Sequence, residues 1–335
     1  MYSKILGGLI GAAAGDAMGA ATETRTRKQI EELFGGYVTE FFAPPADAFA
    51  RGNKAGQVTD DFSIAYMTIK EILAAGRVDK DVAVEGVIKW SDIPEFFERF
   101  AGPTTRASIN QLKGMNVASD VFVPCNENRR ASNGAAMKTA PIALLSGGDI
   151  DKAIDYCITV CSVTHNNNIA LSGAAAIAAA TAAAMKDGAT MYDVVEASLY
   201  GARKGDQIGR EIGETLAGAS VEAKIKWAVN IALQAKDLSQ AIDDISDYIG
   251  SGLMTVEAVP AVIGLCVAAK GNTVDGICAG VNIGDDTDTV ATMIGGILGT
   301  LNGIESMPES YVQIIEEANG FQLDKLAEEM VEFIK

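Results

Sequence analysis

The chain has 335 residues, enough for one large domain or two of ordinary size, and 48% of them are hydrophobic, which excludes whole-chain disorder. Forty-four acidic against 27 basic residues give a formal net charge of -17. That field repels nucleic-acid phosphates and anionic membranes, so neither partner is expected. A single histidine, His165, excludes zinc sites built on two histidines. The five cysteines, Cys125, Cys157, Cys161, Cys266 and Cys278, are dispersed and form no CxxC pair. They read as small buried hydrophobes of a reducing compartment, which predicts a cytoplasmic protein.

Apolar residues recur at three- and four-residue spacing along most of the chain, and this predicts an all-α fold. The first helix is expected over 5–20. Its run ILGGLIGAAAG lacks the basic flank of a secretory signal and ends at Asp16. Residues 40–58 contain Pro44 and Pro45 and read as one long loop. Further helices are expected over 61–75, 80–90, 134–146, 150–162, 169–186, 191–202, 222–235, 256–269, 289–301 and 308–334. The alanine-rich stretch 169–185 is shorter than the roughly 20 residues that span a bilayer and reads as a tightly packed central helix. No linker or internal repeat divides the chain, so residues 1–335 read as one domain.

Three segments combine carboxylates with small or hydroxyl residues. Gly15-Asp16-Ala17-Met18-Gly19 places an aspartate in an apolar helix, where it needs a hydrogen-bond partner. Glu23 follows seven residues on, on the same face if the helix continues. Thr59-Asp60-Asp61 stands ahead of an apolar helix. It fits an ordinary N-cap as well as hard-cation ligation. Gly284-Asp285-Asp286-Thr287-Asp288-Thr289 puts three aspartates within four residues before another apolar helix. One cap needs one oxygen, and like charges this close repel unless a cation sits among them. With no histidine or thiolate in these segments, Mg2+ or Mn2+ is favoured over zinc.

Two more segments read as substrate contacts. Ser132-Asn133-Gly134 precedes a helix start, where free N–H groups suit an anion, although a plain Asn cap fits too. Thr164-His165-Asn166-Asn167-Asn168 forms a polar run before the alanine-rich helix and reads as a pocket lip or as structural polar contacts.

The series GDAMG with Glu23, TDD at 59–61, GPTTR at 102–106, NGAAM at 133–137, TH at 164–165 and GDDTDT at 284–289 resembles, in order, the motifs of the ADP-ribosylglycohydrolase family. That family includes dinitrogenase-reductase-activating glycohydrolases and crystallin-like proteins. The resemblance implies a single orthogonal helical domain with a central cleft holding two Mg2+ or Mn2+ ions. It implies Thr59, Asp60, Asp61, Asp286, Asp288 and Thr289 as metal ligands. Glu23, with Asp60 as the nearby aspartate, is implied in catalysis, and Asn133, Gly134 and His165 line the substrate pocket. Asp285 stands where the family pattern has glycine, and is expected within reach of metals or ribose. The expected reaction is hydrolysis of a ribosyl glycosidic bond in an ADP-ribosylated protein or small molecule. A nucleoside hydrolase and a non-catalytic crystallin-like ligand-binding protein are the alternatives.

Overall fold

The computed structural model describes residues 1–115 and 128–335. Cys125 therefore lies outside the described residues. Among the described residues the fold is all-α, with two isolated bridges and no strand. In chain order the helices are α1 (Tyr2–Gly19), α2 (Arg27–Phe34), α3 (Asp60–Ala75), α4 (Lys80–Ser91), α5 (Pro94–Phe100), α6 (Pro103–Leu112), α7 (Thr139–Ala143), α8 (Ile150–Cys161) and α9 (Asn168–Ala184). They continue as α10 (Met191–Ile212), α11 (Val221–Gln234), α12 (Leu238–Tyr248), α13 (Thr255–Ala268), α14 (Thr273–Asn282), α15 (Thr287–Asn302), α16 (Glu309–Asn319) and α17 (Leu323–Ile334).

Two antiparallel helix pairs organise the interior. In α1, Gly7, Gly11, Gly15 and Gly19 recur every fourth residue and so share one face. Opposite them on α15 stand Gly299, Gly295, Ala291 and Asp288. A Cβ at Gly11 would overlap the Gly295 carbonyl, and one at Gly295 would overlap that of Gly11. Only glycine permits this backbone-to-backbone approach. The second pair repeats the device. Gly201, Gly205 and Gly209 of α10 lie against Ala175, Leu171 and Asn168 of α9. Every residue of α9 is buried, as expected of a packed central helix. Side chains of α15 feed two apolar clusters, Ala291 on the α1 side and Val290, Met293, Ile294, Ile297 and Leu298 on the α9–α13 side.

Several sequence expectations need correction. The helix expected over 134–146 is broken into a 3-10 turn (Asn133–Ala135), α7, and a second 3-10 turn (Leu144–Ser146). Pro141 has no N–H to give to the Met137 carbonyl, which weakens helix pairing across the 136–138 turn, although α13 runs through Pro260 unbroken. The expected 308–334 helix is two, because Gly320 takes φ +68 and Gln322 φ +55, left-handed positions that end α16. Helices α2, α5, α6 and α14 are too short for a clear apolar period, whereas α12, with Leu238, Ala241, Ile242 and Ile245 on one face, carries one that the sequence reading leaves out. The loop over 40–58 contains no helix, as expected.

Candidate metal and substrate site

The first pair positions the acidic residues. α1 ends at Gly19, so Glu23 does not continue on its face, contrary to the two-turn expectation. The chain turns through Ala20–Glu23, with the N–H groups of Ala21, Thr22 and Glu23 bonded back to Met18 and Gly19 carbonyls. Thr24 at φ +64 then donates its N–H to the Asp285 carbonyl, and Asp285 returns one to Arg25. Thr22 and Thr287 hydroxyls bond each other at 2.9 Å. The Glu23 turn and the 284–286 loop are thus clamped together.

Asp16 is fully buried and spends its carboxylate on α3. It accepts the backbone N–H of Thr59 at 2.9 Å and of Phe62 at 2.9 Å. Those are orphan donors of the first turn of α3, so Asp16 is a cap supplied from another helix. Thr59 is itself the N-cap residue, and Asp60 and Asp61 occupy the first helical turn. The capping reading of this segment therefore holds for Thr59. It does not exhaust the carboxylates.

At α15 capping explains less. Asp286 precedes the first turn but makes no side-chain cap bond. Its Oδ2 instead accepts from Asn133 Nδ2 at 2.5 Å. Asp288 Oδ1 accepts the Thr289 N–H. Carboxylate oxygens of Glu23, Asp286 and Asp288 all lie within 4.8 Å of one another, a spacing that could hold a cation. Glu23 Oε2 and Asp61 Oδ1 are buried without a hydrogen-bond partner. None of the ion pairs among the described residues reaches Asp16, Glu23, Asp60, Asp61, Asp286 or Asp288.

Burial and mutual repulsion raise these acids. Burial, then the charges of Asp286 and Asp60, lifts Glu23 to about 8. Burial and then Asp16 lift Asp60 to about 8, and burial takes Asp16 to about 7 against the bonds from Phe62 and Thr59. Asp61 and Asp288 are pushed well above the carboxylate range, first by burial and next by Asp60 and by Glu23 respectively. Among the described residues no base is ion-paired with these acids, although the buried Lys138 pulls on Asp60 from a distance, and the donor set is all oxygen, which fits hard divalent cations.

Asp285 is exposed and left-handed, at φ +62. A Cβ at Gly252 would sit 2.7 Å from Asp285 Oδ2 and 2.9 Å from Glu257 Oε2. Asp285 therefore leans toward the α13 start, beside the acidic cluster.

The 131–133 segment is held by an antiparallel bridge between Ser132 and Met254, with Asn133 N–H bonded to the Leu253 carbonyl. Asn133 is thus no free helix start, and its N–H is taken. Gly134 lies flat against His165, since a Cβ there would be 2.8 Å from Nε2. His165 is buried and contacts Ser132 Oγ and Thr164 Oγ1. Burial first, then Lys138, holds its pKa well below the usual value. Asn166, Asn167 and Asn168 are structural. They bond the Ile212 carbonyl, the Ala170 N–H and Arg130 carbonyl, and the Asp206 carboxylate and Leu216 N–H respectively.

Lys138 directly follows the NGAAM motif at 133–137, and the sequence alone gives it no role. It is fully buried and donates to the Gly134 carbonyl at 2.8 Å and to Thr164 Oγ1 at 3.2 Å. The signal was there: one lysine at the edge of the apolar stretch 139–145. A cavity of about 610 Å3 bounded by Asp149, Lys186 and Tyr200 lies at the other end of α9 and includes none of these residues.

The paired helices thus converge carboxylate oxygens on one acidic cluster, the arrangement of a protein able to hold hard divalent cations. The family model described as ADP-ribosylglycohydrolase matches residues 1–334, and the chain belongs to that family. Among relatives, the protein YegU of Escherichia coli strain K12 is 29% identical, covering 98% of this chain and 97% of its own. The ADP-ribosylarginine hydrolase Tri1 of Pseudomonas putida strain GB-1 is 25% identical over 97% of this chain and 76% of its own. A solved ADP-ribosylglycohydrolase-related protein complex has the same fold, with a TM-score of 0.70 at 18% identity, covering all of this chain and 99% of the other.

Proposed function

We propose that the chain hydrolyses the ribosyl glycosidic bond of an ADP-ribosylated protein or small molecule with two divalent cations, Mg2+ or Mn2+. The observation that supports it most is the pair of buried, partnerless oxygens, Glu23 Oε2 and Asp61 Oδ1, in a cluster without a paired base. Buried charge of that kind is costly unless a cation joins it. The ligands are Thr59, Asp60, Asp61, Asp286, Asp288 and Thr289. Cations bound there supply the positive charge that orients the vicinal ribose hydroxyls and steadies an oxocarbenium-like transition state.

The chain's own residues do the rest. Glu23 accepts the proton of the attacking water, with Asp60 as its neighbour and alternative base. Asn133 holds Asp286 in place through its amide. Gly134 and His165 face the substrate, and Asp285 sits at the rim, where its charge disfavours an anionic pyrophosphate and favours a neutral or cationic ligand.

One observation favours a second reading, a nucleoside-type hydrolase. The Asn133 N–H expected to meet a pyrophosphate is bonded to Leu253 instead. A hydrolysis screen over ADP-ribosyl-arginine, ADP-ribosyl-serine, O-acetyl-ADP-ribose and nucleosides, with Mg2+, with Mn2+ and in excess EDTA, separates the two. Full turnover in chelator overturns the metal site. We read the chain as one domain acting in the cytoplasm. No helix among the described residues is long and apolar enough to cross a membrane, and the four described cysteines are buried and unpaired.

A further inference from the structure

The single histidine sits in a chain of hydrogen bonds whose direction the donor inventory fixes. Lys138 Nζ only donates, and it gives one bond to Thr164 Oγ1 at 3.2 Å. Thr164 Oγ1 lies 2.9 Å from His165 Nδ1, and His165 Nε2 lies 3.1 Å from Ser132 Oγ. Thr164 is buried, and its hydroxyl has no acceptor among the described residues other than that Nδ1. Were Nδ1 protonated, the Thr164 hydroxyl hydrogen would be stranded in the interior, which costs about 1–3 kcal/mol. The hydrogen therefore goes from Thr164 to Nδ1, and neutral His165 carries its own hydrogen on Nε2. Nε2–H then donates to Ser132 Oγ. Ser132 is only half-buried, and among the described residues its Oγ has no other hydrogen bond.

We infer that Thr164, whose oxygen also accepts from Lys138, is a positioning residue that sets the tautomer of His165, so that the Ser132 hydroxyl, accepting from Nε2–H, points its own hydrogen at an anionic oxygen of the substrate. The inference rests on the ribosyl-hydrolase reading and deepens it, since it supplies the anion donor that the Asn133 N–H cannot. The geometry around it is rigid. Ser132 is pinned by the bridge to Met254 and by the Thr255 hydroxyl on its carbonyl at 2.8 Å. Gly134 leaves the imidazole room that a Cβ would fill. The next residue, Asn133, holds Asp286 through its amide, so the segment that carries Ser132 borders the acidic cluster.

Because His165 is the only histidine, imidazole nitrogen-15 spectra of the full chain report it without assignment. At pH 7 the wild type should show neutral imidazole with hydrogen on Nε2. Lys138→Met should preserve that state, because the Thr164 hydroxyl still has Nδ1 as its acceptor, whereas the shape-conserving Thr164→Val removes that donor and should weaken the preference for hydrogen on Nε2. A wild-type ring protonated on Nδ1, or an unchanged tautomer in Thr164→Val, overturns the relay. If either variant fails to fold, the wild-type spectrum alone still decides the direction. Ser132→Ala should weaken ADP-ribose binding about tenfold, the scale of one hydrogen bond to a charged group. Unchanged ADP-ribose affinity overturns the Ser132 step. A wild type with the Nε2 tautomer that neither binds ADP-ribose nor cleaves any ribosyl compound overturns the functional reading and leaves the relay standing.

Discussion

The α1–α15 and α9–α10 pairs use one construction and finish it differently. Both bring helices to backbone contact with a glycine every fourth residue. The first ladder ends at Gly19 against Asp288, and its open end collects carboxylates from the 20–24 turn, α3 and α15. The second ends at Gly209 and Gly213 against Asn168 and Asn166. Its amides are consumed by backbone carbonyls, backbone N–H groups and Asp206. A satisfied end stabilises the fold. An end left with partnerless charge is held in place by the rest of the fold, and that is the pattern expected of a functional site.

The largest expected effect breaks the first ladder's chemistry and spares its packing. Asp286→Asn and Asp288→Asn should each abolish hydrolysis and weaken Mg2+ binding, because each removes a charge that the cation needs. Their folds should survive, since less repulsion remains without metal. Near-normal turnover at low metal in either variant sinks the dinuclear proposal. Glu23→Gln should cost roughly two to four orders of magnitude in turnover, the range for removing a general base. Titration calorimetry with Mg2+ assigns its role. Because Glu23 lies within 4.8 Å of Asp286 and Asp288, parallel loss of metal affinity would make it a ligand first.

A second test separates the ladders by stability. Gly295→Ala and Gly201→Ala each push a methyl into a facing carbonyl, at Gly11 and Ala175 respectively. Overpacking of this kind costs about 1–3 kcal/mol, several degrees of Tm. Only Gly295→Ala should also lose the Tm increase that Mg2+ gives, because only that ladder aligns the carboxylates. Equal cation responses in the two variants would show that the site does not depend on the α1–α15 contact.

Much of this was legible in sequence and some was not. The GDDTDT and TDD segments declared themselves by charge density that capping cannot use. Asp16 reads as a carboxylate needing a partner, yet nothing in the sequence says that its partners are Thr59 and Phe62, 43 and 46 residues away. Glu23 reads as part of a continued helix, whereas it is the turn through Ala20–Thr24 that brings its carboxylate within 4.8 Å of those of Asp286 and Asp288. Asn133 was expected to offer its N–H to a ligand, and the bridge to Leu253, a long-range pairing, took that N–H away. Lys138 escaped notice because a lysine in a short polar-to-apolar junction looks like a surface residue until packing buries it.

The unpaired end of the first ladder has a pH signature that the amide end lacks. Glu23 and Asp60, raised by burial and neighbouring charge to about 8, and Asp16, raised by burial to about 7, bind protons in the folded state that the unfolded chain, with carboxyls near 4, has released. Between those values the native state holds more protons, so stability falls as pH rises. The metal-free protein should therefore have a higher Tm near pH 5 than near pH 8, and excess Mg2+ should flatten the trend. A metal-free Tm that climbs over that interval would mean these acids are charged and satisfied in the fold.

The smallest effect falls on Asp285, at the rim between the two regions. Its φ of +62 is a conformation that glycine adopts freely and that costs most L-residues about 1–2 kcal/mol, though Asp tolerates it better. The glycine of the family pattern at this position thus has a backbone reason, and Asp285 has displaced it at a cost. Asp285→Gly should raise Tm by a degree or two and relieve the crowding of carboxylates beside Glu257 and Gly252. The side chain is exposed, so water and salt screen its field, and its influence on substrate choice is small. If the charge reaches the substrate, Asp285→Gly raises the specificity constant for ADP-ribosyl compounds relative to nucleosides, and it does so more at low ionic strength. If the ratio stays fixed at every salt concentration, Asp285 is a loop residue with no hand in selection, and the neutral or cationic ligand must then be chosen elsewhere in the site.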